Sequence, residues 1–291
     1  MSTTAATVRP TAASPRGVLE LVISERRGRS VASKQFHQGA LRVLRPHYLD
    51  DSGQVCYVVV NPGGAFLGAD RFLVEVEVQD GASLVLTTQS ATKVYRTPGS
   101  FAEQRMTLRL GKDSRLELLP DQLIAYREAS YRQNTHITVR PSSSLVMAEV
   151  VTPGWSPDGA AFRYEELRLR TELWVVGPDG TDLLALDNLL IRPPLNDVTG
   201  MGFMEGFSHL GSLMVVDKRV GQALADDLHG LTAGHDAHTG ISLTRTVAGT
   251  TGLVLRSLSN STEELNRLVG ACTALLRDRW HGQAPLDLRK Y

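Results

Sequence analysis

Between residues 18 and 190, apolar side chains recur at every second position in short runs separated by turns. Val74, Val76 and Val78 alternate with Glu75 and Glu77 across residues 72–78, and Met106, Leu108 and Leu110 alternate with Thr107 and Arg109. A period of two with charge on one side predicts strands that bury one face and wet the other. Long helical periodicity is missing here and turn signals are frequent, so mainly β structure is expected.

A repeat lies within these strands. A polar turn precedes an apolar-x-apolar triplet at Asp80, Gly81, Ala82, Ser83 before Leu84, at Lys112, Asp113, Ser114, Arg115 before Leu116, and at Pro141, Ser142, Ser143, Ser144 before Leu145. The steps are 32 and 29 residues. A fourth copy is expected at Asp179, Gly180, Thr181, Asp182 before Leu183. The pairs Tyr95-Arg96 and Tyr126-Arg127 correspond in the same way, 31 residues apart. A unit of two or three strands cannot bury its apolar face alone, so the copies must stack, as in a β-solenoid or a layered β-sandwich.

Towards the C-terminus the period changes. Residues 261–280 read as a helix, with Ser261 and Glu264 at capping-box spacing. Leu265, Leu268, Val269, Cys272, Leu275, Leu276 and Trp280 mark one apolar face of it. A shorter helix is expected over residues 220–228. Both fit caps on the β core, or contacts for a partner, better than carriers of chemistry.

Composition narrows the function. Lys plus Arg and Asp plus Glu each number 31, a formal net charge of zero, whereas a nucleic-acid binder needs surplus positive charge. No apolar run approaches the roughly 20 residues of a membrane span. Residues 1–17 are rich in Ser, Thr, Ala and Pro without an apolar signal core, and read as a disordered tail. Cys56 and Cys272 form no C-x-x-C pair, which fits a reducing cytoplasm and argues against a disulfide framework or a Cys-based zinc site.

No G-x-S-x-G elbow, no P-loop and no H-E-x-x-H occurs. Gly63 and Gly64 with Gly68 lack phosphate-loop spacing and read as a tight turn between strands. Asp226, Asp227, His229, His235, Asp236 and His238 form the densest set of ligands suited to nickel or zinc, with His235 and His238 the best of them. Gly230, Gly234 and Gly240 run through the same segment, so a solvated flexible loop is the preferred reading. The acid pairs Glu75/Glu77 and Glu165/Glu166 raise a rival, a β-solenoid carbohydrate-active enzyme. Against it, Glu75 and Glu77 belong on a solvent face, where a raised pKa is not expected. A standalone metal-storage protein is a third reading, requiring tight stoichiometric nickel binding.

Residues 61–172 also resemble a known family. Asn61, Pro62, Gly63 and Gly64 leading to Asp70, then Leu86-Thr87-Thr88-Gln89-Ser90-Ala91-Thr92-Lys93-Val94-Tyr95-Arg96, look like the signature of the UreD (UreH) family of urease accessory proteins. Leu116-Glu117-Leu118-Leu119-Pro120-Asp121-Gln122 resembles its Leu-Glu-x-Leu-Pro segment. Glu149 with Gly154, and residues 167–174 with Thr171 and Glu172, extend the match. The ending Asp287-Leu288-Arg289-Lys290-Tyr291 is similar to that of Gram-positive members.

What the resemblance implies is a right-handed β-helical scaffold without catalytic activity, a single UreD-like domain over residues 18–291. Its β scaffold would cover 18–216 and a mixed α/β part with a small helical portion 217–291. The partners implied are a UreF-like helical accessory protein, a UreG-like GTPase carrying nickel, and apo-urease, in the cytoplasm. No cofactor is expected to bind tightly, though transient Ni2+ is. By position the resemblance makes Asp70, Glu149 and Glu172 candidates for a nickel passage, with Thr92 and Lys93 lining it or holding a turn. Two departures stand out. Ala69 occupies a place where members often have Gly, and Gly154-Trp155 with Gly159-Ala160-Ala161-Phe162 replaces a pattern that carries an Arg and a Glu.

Overall fold

The computed structural model describes residues 15–178 and 180–288. Most of the tail expected over residues 1–17, and Arg289, Lys290 and Tyr291 of the family-like ending, lie outside these. The chain opens with the hairpin β1 (Gly17–Arg26) and β2 (Arg29–Gly39), followed by the short strands β3 (Arg42–Val43) and β4 (His47–Tyr48). Four coils then wind between two sheets. They comprise β5 (Val55–Val60) and β6 (Arg71–Val78); β7 (Ser83–Thr88), β8 (Thr92–Val94) and β9 (Ala102–Leu110); β10 (Arg115–Leu118), β11 (Leu123–Ala125) and β12 (Ser130–Val139); and β13 (Ser144–Val151) and β14 (Glu166–Gly177). Then come β15 (Gly180–Ile191), β16 (His209–Val216), α1 (Gln222–Thr232), β17 (His238–Arg245), β18 (Thr251–Ser259) and α2 (Thr262–His281).

One sheet runs β15-β14-β12-β9-β6-β1-β2 and the other β17-β18-β16-β13-β10-β7-β5-β3. Each coil delivers one strand to each, so neighbouring coils pair in parallel. The sequence repeat is the coil: Leu84, Leu116 and Leu145 occupy one register across β7, β10 and β13. All three are fully buried, each contributing about 2 kcal/mol by leaving water. The polar turns before them tie one coil to the next. Asp80 Oδ1 accepts from the Lys112 amide at 2.7 Å, and the Ser142 hydroxyl accepts from the Asp113 amide at 3.0 Å. Tyr95 and Tyr126 also meet edge to face, 4.8 Å between ring centroids, and Tyr126 meets Trp155 at 4.9 Å.

The fourth copy of the repeat does not form. Gly177 pairs with Gly180, so β15 folds straight back on β14 as an antiparallel strand of the same sheet. Two intervening residues are far too few for the crossover that a further parallel strand would need. Asp179 lies outside the described residues.

Alternation sorts side chains into two cores. Leu145, Met147 and Val151 of β13 point between the sheets, while Val146, Ala148 and Val150 point outward beneath the helices. Buried on both faces, β13 reads as a nearly continuous apolar run. Helix α2 lays Leu265, Leu268, Cys272 and Leu276 on that outer face, as the sequence period predicts. The Ser261 hydroxyl accepts from the Glu264 amide at 3.2 Å. The Glu264 carboxylate bonds to His235 and Arg267 instead of closing the capping box. Near its end, Arg277 reaches under the helix to both carboxylate oxygens of Glu117 at 2.9 Å and to Asp50 at 3.1 Å, with Arg277 and Glu117 sealed from solvent. No disulfide joins Cys56 to Cys272, and both are buried.

Candidate functional site

Residues facing the space between the sheets are apolar with few exceptions, and the exceptions adjoin. In β9 and β12 the inward series run Gln104, Met106, Leu108 and Tyr131, Gln133, Thr135, Ile137, with Gln104 and Gln133 in register. Opposite them Glu149 takes an inward position on β13, between Met147 and Val151. The Gln133 side-chain amide donates to the Glu149 carboxylate, and the Tyr131 hydroxyl donates to the Gln133 carbonyl at 3.2 Å. Burial pushes the Glu149 carboxyl up to about 7, against the pull of the Gln133 amide and the more distant Arg256.

This polar group lines a cavity of about 80 Å³ that includes Thr88, Thr92, Gln104, Gln133 and Glu149. A second cavity of about 70 Å³ shares Thr88, Thr92 and Gln104 and is bordered by Asn61, Gln89 and Lys93 nearer the surface. Gln104, Gln133 and Glu149 are half-buried while their apolar neighbours are sealed. Water-sized space therefore lies within the solenoid, lined mainly by apolar side chains with these oxygen-bearing ones among them, and a second such space adjoins it.

The residues put forward from sequence do not converge. Glu149 and Thr92 line the inner cavity, and Lys93 stands at its outer extension. Asp70 is buried in the turn before β6, where its carboxylate accepts from the Leu67 amide at 2.8 Å and lies 3.5 Å from Arg16. Glu172 faces outward, because Thr171 and Leu173 take the inward positions of β14. The Trp174 indole donates to it at 3.2 Å, and with Arg170 and His136 holds its carboxyl below the usual range.

Residues 226–238 are the expected loop only in part: His235 and Asp236 lie in the connection 233–237, and the rest is helix and strand. Asp226, Asp227 and His229 ride on α1, and His238 opens β17. His235 Nδ1 lies 2.7 Å from Glu264, whereas the His238 ring packs on Phe207 at 4.6 Å. Asp227 pairs with Arg279. Among the described residues, no three His, Cys, Asp or Glu side chains gather as a metal site.

A cleft of about 650 Å³ is lined by Glu25, Glu77, Asp80, Arg109 and Arg140, and none of its lining residues is an aromatic on which a sugar would stack. Glu166 bonds to Arg132 and Arg192, each at 2.7 Å; burial alone would raise its pKa, but these two guanidinium groups lower it. Neither acid pair has the setting of a glycosidase acid.

The profile of the UreD urease accessory protein family matches residues 15–290. This chain belongs to the UreD family. It is 79% identical to the urease accessory protein UreD of Arthrobacter sp. (strain FB24) over 277 residues, 95% of this chain and 94% of that one. The UreD of Paenarthrobacter aurescens (strain TC1) is 74% identical over 276 residues, 95% of each chain, and that of Bacillus cereus (strain ATCC 10987 / NRS 248) 34% over 280 residues, 96% and 99%. A role as a urease accessory protein follows.

The UreD signature residues have a place in the geometry. Asn61, Gly64, Gln89, Ser90, Ala91, Thr92 and Lys93 all border the outer cavity, so the block carrying the resemblance lines a space that adjoins the interior one. Ala69 keeps the left-handed backbone that glycine favours, at φ +65°. Gly154 sits at φ +86°, and a Cβ there would fall 2.4 Å from the Ala125 carbonyl oxygen, so only glycine fits. Thr88, Gln104 and Gln133 were not anticipated from sequence. Their signal was present as a polar residue on the apolar parity of a strand.

Proposed function

We propose that this UreD chain is a scaffold without catalytic activity that supports nickel insertion into apo-urease, and that Ni2+ is a transient cargo of its interior polar row. The observation carrying this reading is the Glu149–Gln133 pair, held in water-sized space inside the solenoid and next to the cavity that the UreD signature block borders. Carboxylate, amide and hydroxyl oxygens hold a first-row divalent ion less tightly than imidazole or thiolate, which suits a relay. A carboxyl held near neutral pH can give up its proton as the cation arrives and recover it as the cation leaves. Lys93, bordering the adjoining cavity, is a charge that limits occupancy, not a ligand.

The partners in this proposal are a UreF-like helical protein, a UreG-like GTPase and apo-urease, in the cytoplasm. The chain carries no Gly-Lys-Ser/Thr phosphate loop, so GTP hydrolysis is assigned to a separate subunit. Leu186, Leu195, Met201 and Phe203 are exposed and give a partner apolar surface to cover. None of the described helices is long and apolar enough to cross a membrane.

Two measurements test the proposal. Co-expression with the UreF-like protein is expected to yield a complex that survives purification. Urease from cells lacking this chain is expected to be nickel-poor and inactive, with activity restored by the wild-type chain and not by Glu149→Gln. Nickel-loaded urease in its absence would refute the role.

A further inference from the structure

The strand orders of the two sheets end on β2 and β15 in the first and on β3 and β17 in the second. An outer strand offers unpaired N–H and C=O groups to any extended chain, and folds blunt it with charge, irregularity or shortness. Three of these four are blunted. β3 has two residues, β2 carries Lys34 and a register shift at Ser33, and β15 carries Asp182 and Asp187. β17 is open: its outer side pairs with no strand among the described residues, and the six residues between His238 and Arg245 include no charge and no proline. Leu243 is 40% exposed along this edge, and Val247 just beyond it is fully exposed.

Two charges bracket the strand. Asp236 lies just before it and Arg245 ends it; both are exposed, and neither makes an ion pair among the described residues. Eight residues of strand span about 27 Å, so within one chain these two charges are far out of reach of each other. A second β17 laid alongside in the antiparallel sense sets the Arg245 end of each copy against the Asp236 end of the other, and two ion pairs form at once. A parallel neighbour would set like charges together. The strand is therefore its own complement, and only in the antiparallel sense.

We infer that β17 is the contact through which two copies of this chain pair edge to edge, about a twofold axis passing near Gly240 and Ile241. The helix-backed sheet then runs unbroken from one copy into the other. Leu243 alternates with Ile241, which packs on the core under the helices, and the pairing covers it in both copies. Each copy's free edge is occupied by the other, so the contact closes at two copies and builds no filament. One eight-residue strand from each side is a small interface, which places dissociation in the micromolar range.

The test is sedimentation velocity of the purified full chain, from low micromolar to a few hundred micromolar, where a monomer–dimer equilibrium is expected. Arg245→Asp and Asp236→Arg each set like charges together at both ends of the contact, and each is expected to raise the dissociation constant about tenfold. The Arg245→Asp/Asp236→Arg double variant restores opposite signs and is expected to return near wild type. Ser242→Lys, at an exposed position beside the axis, puts two positive charges together and is expected to leave only monomer. Urea midpoints close to wild type show that the variants are folded. Two differently tagged copies expressed together in a host without urease genes give a second reading, co-purifying as wild type and separating as Ser242→Lys. A monomer at every concentration would overturn the inference, as would a dimer indifferent to Ser242→Lys and to both charge reversals. So would a double variant that pairs no more tightly than either single one.

Discussion

Replacing Glu149 by Gln removes one charge from the middle of the solenoid without changing its size, and it should make the fold stronger as it makes the protein useless. Burial raises the Glu149 carboxyl from an ordinary 4.5 to about 7. The folded chain therefore holds this proton over a pH range in which the unfolded chain has released it. Stability falls wherever the native state binds the extra proton, so Glu149 drains stability as pH climbs from about 4.5 to about 7, and the loss is constant above that. The shift corresponds to about 3 kcal/mol at pH 8. Glutamine keeps a hydrogen bond to Gln133 and escapes this penalty. Urea unfolding of the purified chain at pH 5 and pH 8 isolates the effect, because every other titrating group is common to both proteins. The difference between Glu149→Gln and wild type is expected to be small at pH 5 and about 2–3 kcal/mol in favour of the variant at pH 8. Equal gaps at the two pH values would refute the account of Glu149 as a desolvated carboxyl. A variant both more stable and unable to load urease would mark the residue as kept for function.

Three further outcomes follow from other parts of the fold. Arg277→Met takes from the buried Glu117 one of its two guanidinium partners, Arg115 being the other, so it is expected to cost about 2 kcal/mol in urea unfolding, short of the roughly 3–5 kcal/mol of a buried charge left with no partner; an unchanged urea midpoint would refute the pairing. Ala69→Gly relieves a left-handed backbone at φ +65° and is expected to stabilise by up to about 1 kcal/mol after the entropy of glycine is counted; a lower urea midpoint would refute the strain. Glu172→Gln, altering a carboxylate on the outer face, is expected to leave nickel loading of urease unchanged, in contrast to Glu149→Gln.

The coil was legible because its signal is local and repeated. The spacing of Leu84, Leu116 and Leu145 set a stack that the backbone then realises residue for residue. The turn back after β14 was misread as a fourth copy because a polar turn followed by two leucines looks the same before a crossover and before a hairpin; only the length of the connection separates them. Glu149 and Glu172 resembled one another as family positions, yet a shift of parity within a strand puts one inside and the other in water. His235 and His238 looked like ligands since sequence shows proximity along the chain, not the Glu264 and Phe207 side chains that occupy them. The interior glutamines were visible as breaks in alternation, but only a second sheet closing over them gives such breaks a meaning.

Stacked parallel coils have open ends, and an exposed end is a template for the next strand of another molecule. Here the parallel series of the first sheet is reversed at both ends, by β2 folding back on β1 and by β15 folding back on β14. A further coil arriving in the parallel sense would meet a strand running the wrong way. The antiparallel hairpins thus act as terminators, fixing the length of the scaffold and keeping a fold well suited to endless fibres from growing into one.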